Sequence, residues 1–226
     1  MPLTDILPNV KDQELARLLG SRKGRKLSPS LKKKVKNLKD KTSRIIKPRV
    51  HFKKHKIHEI SPGVVHLETD LCLKSPKLSR TMRGSQELVC FVGTIGRGIE
   101  KEIKKLVNKK RLADAYVLDA IGSVLVENLV DQFQSRLDQH YQTKNKTMGL
   151  RFSPGYCDWP VTEQKTLFEL LEPEKARVEL TESCLMQPRK SISGVIPLFS
   201  TDNGHERSDY NPCWTCQKLD CTARRI

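Results

Sequence analysis

Three cysteines near the C-terminus, Cys213-x-x-Cys216-x-x-x-x-Cys221, place three thiols within nine residues. Thiolates at this spacing can converge on one metal ion. A structural zinc or an iron–sulfur cluster there would take its fourth ligand from Cys157, Cys184 or His205. The Cys-x-x-Cys pair is also compatible with a redox dithiol, and the whole segment with a solvated tail. Cys72 and Cys90 lie in strand-like runs and read as small core residues.

A second set of candidates lies upstream. Arg151 opens the loop RFSPGYCDWP, residues 151–160. A planar guanidinium there can clamp a carboxylate with two parallel hydrogen bonds, and is otherwise a surface arginine. Ser153, Gly155 and Tyr156 belong to a stiff stretch whose open backbone amides and carbonyls can read a flat heterocycle. Glu127 interrupts an apolar helical run between Val126 and Leu129. It either points to solvent or accepts hydrogen bonds from an amine or ribose hydroxyls. Gly93, Gly96 and Gly98 follow a strand and precede a helix, but their order is not that of a dinucleotide loop and no G-K-[ST] follows. A strand-to-helix turn is the better reading. No G-x-S-x-G or H-E-x-x-H is present.

These residues need elements to position them. Residues 28–47 place Leu31, Val35, Leu38, Thr42, Ile45 and Ile46 on one helical face, with lysines on the other. Ser28 is a good N-cap, Pro29 suits the first turn and Pro48 stops the helix. Strands are expected over residues 49–73, broken at Ser61-Pro62-Gly63, and a short helix from Ser75-Pro76 to near Gly84. ELVCFVGTI, residues 87–95, reads as a buried strand. Helices follow over 97–110 and 111–141, the second apolar enough to be central. Gly122 inside it costs about 1 kcal/mol relative to Ala, so close packing or a ligand must call for it. Residues 143–149 read as loop, 162–171 as helix, 178–185 and 191–199 as strands. The irregular mixture favours an α+β fold with an antiparallel or mixed sheet. We expect one domain over residues 1–200 and a Cys-containing tail over 201–226.

The chain has 226 residues and a formal charge of +16. Residues 1–60 carry 18 Lys+Arg against 5 Asp+Glu, which is nearly all of the excess. No apolar run approaches the ~20 residues of a membrane span, and the N-terminus does not read as a signal peptide, so a cytoplasmic protein is expected. The basic excess raises nucleic acid as a partner. Against it, Phe52 is the only aromatic residue in that quarter, and no RNA-recognition or zinc-finger pattern appears.

Three stretches carry a more specific signal. RFSPGYCDWPVTEQKTLFELL (residues 151–171) resembles the R-x-[AS]-P-G-Y-P loop and F-E-L-L helix of the activation domain of cobalamin-dependent methionine synthase. LTESCLMQPRKSISGV (180–195) is similar to that family's L-T-E-S-x-x-M-x-P-x-x-S-[VI]-S-G stretch, and LDAIGSVLVENLVDQF (118–133) to its long helix. They occur in family order. FVGTIGRGIEKEI and IIKPRVHF look like the single-domain, stand-alone members, so the similarity covers roughly residues 12–200. The resemblance implies a helmet-shaped α+β fold with a twisted antiparallel sheet and a long central helix. It implies binding of S-adenosylmethionine and support for reductive remethylation of Co(II) cobalamin. Glu127 then matches a ligand-contacting glutamate and Arg151 the arginine that holds the ligand carboxylate. Ser153 falls where backbone reads the adenine, and Gly155 and Tyr156 shape the same loop. Two positions depart: Tyr210 stands alone where the family has adjacent tyrosines, and Ser123 stands where an acidic residue occurs.

The chain has no D-x-H-x-x-G cobalamin motif, so the implied corrinoid arrives on another protein, a methionine synthase or other corrinoid protein, with flavodoxin or another donor supplying the electron. Such a chain is a component of a methyltransferase reaction rather than a complete enzyme. The alternatives are an activator of another corrinoid methyltransferase with a metal or cluster on the C-terminal cysteines, and a basic nucleic-acid-binding protein. On the family reading, the basic helix suits an acidic corrinoid protein or flavoprotein better than nucleic acid.

Overall fold

The computed structural model describes residues 4–21, 27–201, 210–218 and 221. In chain order the elements are α1 Asp12–Leu18, α2 Pro29–Ile45, β1 Arg49–Ser61, β2 Val64–Leu67, β3 Cys72–Lys74, α3 Pro76–Thr81, β4 Glu87–Thr94, α4 Gly98–Asn108, α5 Leu112–Gln142, β5 Lys146–Met148, α6 Gln164–Leu171, β6 Glu179–Leu180, β7 Met186–Gln187 and β8 Ser191–Ser200. The described residues divide into two compact units, each gathered from three stretches. One draws on Met1–His51, Val92–Leu137 and Pro173–Ile192, the other on Phe52–Phe91, Asp138–Glu172 and Ser193–Ile226.

The first unit is mainly helical. Its core is a stripe of α5, with Leu118, Ile121, Leu125, Leu129, Val130 and Phe133 buried. Ile99 and Leu106 of α4, Val35 and Leu38 of α2, and Leu15 of α1 are buried in the same unit. The α2 boundaries follow the sequence signals. The Ser28 hydroxyl accepts from Leu31 N at 3.3 Å, Pro29 begins the helix and Ile45 ends it before Pro48. Gly98, at the start of α4, lies against the end of α2: a Cβ there would stand 1.8 Å from the Ile45 carbonyl oxygen. Gly96 has φ +78°. The glycine cluster is thus a strand-to-helix turn that lets two helices touch.

The second unit is built on a curled antiparallel sheet in the order β3-β2-β1-β4-β8-β5, with only the unit-crossing ends of β1, β4 and β8 in the first. Leu88, Val89, Cys90 and Phe91 of β4 are fully buried, which accounts for the unbroken apolar run there. α3 begins as expected, with the Ser75 hydroxyl accepting from Leu78 N at 3.0 Å.

Some expectations are corrected. The stretch 64–73 is two short strands joined by a bend, not one. Residues 146–148, read as loop, form an edge strand on β8. The expected strand 178–185 shrinks to Glu179–Leu180, paired with Met186–Gln187 across a turn. That turn forms because the Thr181 hydroxyl accepts from Leu185 N at 3.1 Å and Cys184 adopts φ +61°. Helix α1 was not anticipated: its seven residues are too few to establish a period. Cys90 is a core residue as expected, whereas Cys72 is only half-buried.

Candidate functional site

In the second unit, the loop of residues 151–160 is pinned from three sides. Phe152 exchanges both backbone hydrogen bonds with Val195 of β8, at 2.9 and 2.8 Å. Trp159 is 1% exposed and its backbone N–H donates to the Tyr156 carbonyl at 3.1 Å, while Gly155 N donates to the Trp159 carbonyl at 2.8 Å. The Asp158 carboxylate accepts from the Ser75 hydroxyl at 2.6 Å and from Lys77 N at 3.0 Å, at the start of α3. Gly155 supplies the φ of +88° that the turn requires. Phe152, Pro154 and Trp159 therefore face inward, Arg151 and Ser153 are half-buried, and Gly155, Tyr156 and Cys157 are exposed. The structure thus brings four of the five candidate ligand residues into one rigid loop.

The fifth, Glu127, lies on α5 in the first unit and is exposed. Asp119, Ser123 and Glu127 are spaced four apart and share one stripe of the helix. Lys190, from the connection between β7 and β8, donates to Asp119 Oδ1 and to the Ser123 hydroxyl, both at 2.8 Å. Sequence reasoning missed Lys190; its place inside the PRKSISG run was the available signal. Gly122 now has a packing reason, since a Cβ would meet Ile99 and Lys190 Cε at 3.2 Å.

All seven cysteines are free thiols. Cys213 N donates to Asn211 Oδ1 at 2.9 Å, and a turn joins Cys213 to Cys216. Three residues earlier, the Tyr210 ring lies under the Arg80 guanidinium, 4.1 Å from carbon to centroid. Burial pushes the Cys157 thiol up; the charges of Cys213, Asp158 and Cys216 push the same way, and Lys77 opposes them. Among the described residues, no three His, Cys, Asp or Glu side chains already stand grouped to hold a metal ion. His205 lies outside the described residues. No helix among them is long and apolar enough to cross a membrane.

Comparison with known proteins places this geometry in context. The family model described as "Vitamin B12 dependent methionine synthase, activation domain" matches residues 68–219. A solved structure, "Crystal Structure of the MetH Reactivation Domain bound to AdoHcy", matches with a TM-score of 0.60 and 21% identity, over 80% of this chain and 66% of that one. The chain thus spans just under two thirds of that structure's length and shares its fold. No curated protein matches the sequence.

Proposed function

Since the chain belongs to the family of vitamin B12-dependent methionine synthase activation domains, we propose that it binds S-adenosylmethionine and supports reductive remethylation of Co(II) cobalamin held by a separate methionine synthase in the cytoplasm. The observation that carries this reading is the pinned loop of residues 151–160 in a chain that matches the family model, shared in fold with a domain that binds S-adenosylhomocysteine.

The residues present suit such a ligand. Arg151 is a half-buried guanidinium for the amino-acid carboxylate. Glu127 is an exposed carboxylate that can accept from the ligand amine. The loop backbone at Ser153, Gly155 and Tyr156, held by Phe152, Trp159 and Asp158, offers amides and carbonyls to a flat heterocycle. When bound, the sulfonium supplies the methyl group and an external donor, flavodoxin or another reductase, supplies the one electron that regenerates methylcobalamin, leaving S-adenosylhomocysteine. This chain's own contribution is orientation: a stiff loop holds the ligand without first having to order itself.

Calorimetry tests the reading. Wild type should bind S-adenosylmethionine, and Glu127→Gln and Arg151→Ala should each bind about 10–100-fold more weakly, the loss expected for one charge-assisted contact. A wild type that fails to bind, with and without a corrinoid partner, overturns it.

A second reading concerns Cys213, Cys216 and Cys221, with a fourth donor from Cys157, Cys184 or His205. The spacing Cys213-x-x-Cys216-x-x-x-x-Cys221 supports a zinc ion or an iron–sulfur cluster that draws these thiolates together on binding. Such a group would make the chain an activator of another corrinoid methyltransferase if it passes electrons, and would be structural if it is zinc.

A further inference from the structure

Four of the basic residues in the first quarter of the chain, Lys33, Lys34, Lys41 and Arg44, line an open groove of about 530 Å³ in the first unit, between α2 and the start of α5. Its floor is a fixed triad. The nearly buried Asp114 carboxylate pairs with Lys34 and, at 2.6 Å, with Arg111, so one anion is shared by two cations. Above that floor stand Lys33, Lys41 and Arg44, all exposed. None of the three has an acidic partner among the described residues, whereas Lys39 of the same helix is tied to Asp12.

The array is preorganised. Val35, Leu38 and Thr42 of α2 are buried, and Gly98 lets α4 abut its last turn. The cations of a tail would have to be ordered on binding. These are already held by a packed helix, so charge complementarity costs little conformational entropy. We infer that the groove between α2 and the start of α5 receives an acidic segment of a protein partner.

Two features favour a polypeptide over nucleic acid. Asp40 and Asp114 line the same groove and would oppose a continuous phosphate backbone, while leaving room for carboxylates placed one by one. No aromatic ring lines it, so bases would have no stacking platform. All of α2 precedes residue 68, where the family match begins, while Arg111 and Asp114 on the other side of the groove lie within it. The inference rests on the reading that this chain acts on a partner protein.

The test uses the full chain and two labelled probes, a twelve-residue glutamate peptide and a twelve-nucleotide single-stranded DNA, followed by fluorescence anisotropy. Wild type should bind the peptide at about 20 mM salt and weaken several-fold by about 200 mM. Reversing Lys33, Lys41 and Arg44 to Glu should weaken binding by about tenfold or more. Reversing the exposed Lys101, Lys104 and Lys165, which makes the same change in net charge elsewhere, should change it less than about threefold. Equal losses in both variants, or no peptide binding at low salt, overturn the inference. Tighter binding of the DNA, lost in the groove variant, overturns it in favour of nucleic acid. Calorimetry with S-adenosylmethionine on the groove variant keeps the two readings apart: affinity should match wild type, and absence of ligand binding by both proteins would strike the proposed function and leave the groove result standing.

Discussion

Gly194 lies directly beneath Phe152: a Cβ at 194 would come within 2.4 Å of the Phe152 carbonyl oxygen and 2.8 Å of the Ser153 hydroxyl. The carbonyl oxygen is backbone and is itself bonded to Val195 N at 2.8 Å, so it has nowhere to retreat. The glycine of the S-I-S-G run is therefore what lets the loop of residues 151–160 lie flat on β8.

Gly194→Ala should consequently push the loop off the strand. Expected are a stability loss of about 1–3 kcal/mol, read as a lower Tm, and at least a tenfold loss of S-adenosylmethionine affinity. A variant that melts and binds like wild type would show that the loop does not depend on this contact.

Asp158 joins the same loop to α3. Asp158→Ala removes the acceptor of the Ser75 hydroxyl, a residue with no exposed surface, and of Lys77 N. It should cost about 1–3 kcal/mol in chemical denaturation, because both donors lose a charged partner. Asp158→Asn keeps one acceptor and should recover part of that loss.

The Lys34–Asp114–Arg111 triad gives stability a pH dependence. The Lys34 hydrogen bond holds the Asp114 carboxyl below its ordinary range, with Arg111 adding to it and burial opposing. A depressed folded-state pKa stabilises above the unfolded value of about 4 and is lost as pH falls through the folded value. Wild type should exceed Asp114→Asn by about 1–2 kcal/mol at pH 7, and the two melting curves should converge as pH drops below about 4. A constant gap down to pH 2.5 would contradict this.

The cysteine reading makes a stoichiometric prediction. Protein purified without oxygen or chelator should carry about one zinc, or a coloured iron–sulfur cluster, per chain, and Cys213→Ser/Cys216→Ser should lose it. Cys157→Ser should weaken retention if that thiol is the fourth ligand. Metal-free, colourless protein from iron- and zinc-replete cells would reduce the segment to a tail.

Much of the scaffold was legible because its signals are local. Ser28, Pro29 and Pro48 delimit α2 and Ser75-Pro76 starts α3, since capping and proline sterics act within a few residues. The α5 stripe repeats over 31 residues, long enough for a period to stand out. The strand 178–185 misled because its apolar residues fit an extended run, while hydrogen bonds between Thr181 and both Cys184 and Leu185, one of them accepted by the Thr181 hydroxyl, turn the chain back. β5 was illegible because three residues carry no period, and only pairing with β8 makes them a strand.

The sequence by itself determined where the basic excess lies, which helix carries it, and the ordered motifs that place residues 68–219 in their family. It could not say which cations are free. Lys34 is bound to Asp114, 80 positions away, and Lys39 to Asp12, while Lys33, Lys41 and Arg44 open onto the groove. Lys190 likewise reaches the stripe of α5 that carries Glu127 through a contact spanning 67 residues, at Ser123. Charge pairing depends on distance through space and not along the chain, so only the tertiary structure separates the lysines that hold the fold from those left to meet a partner.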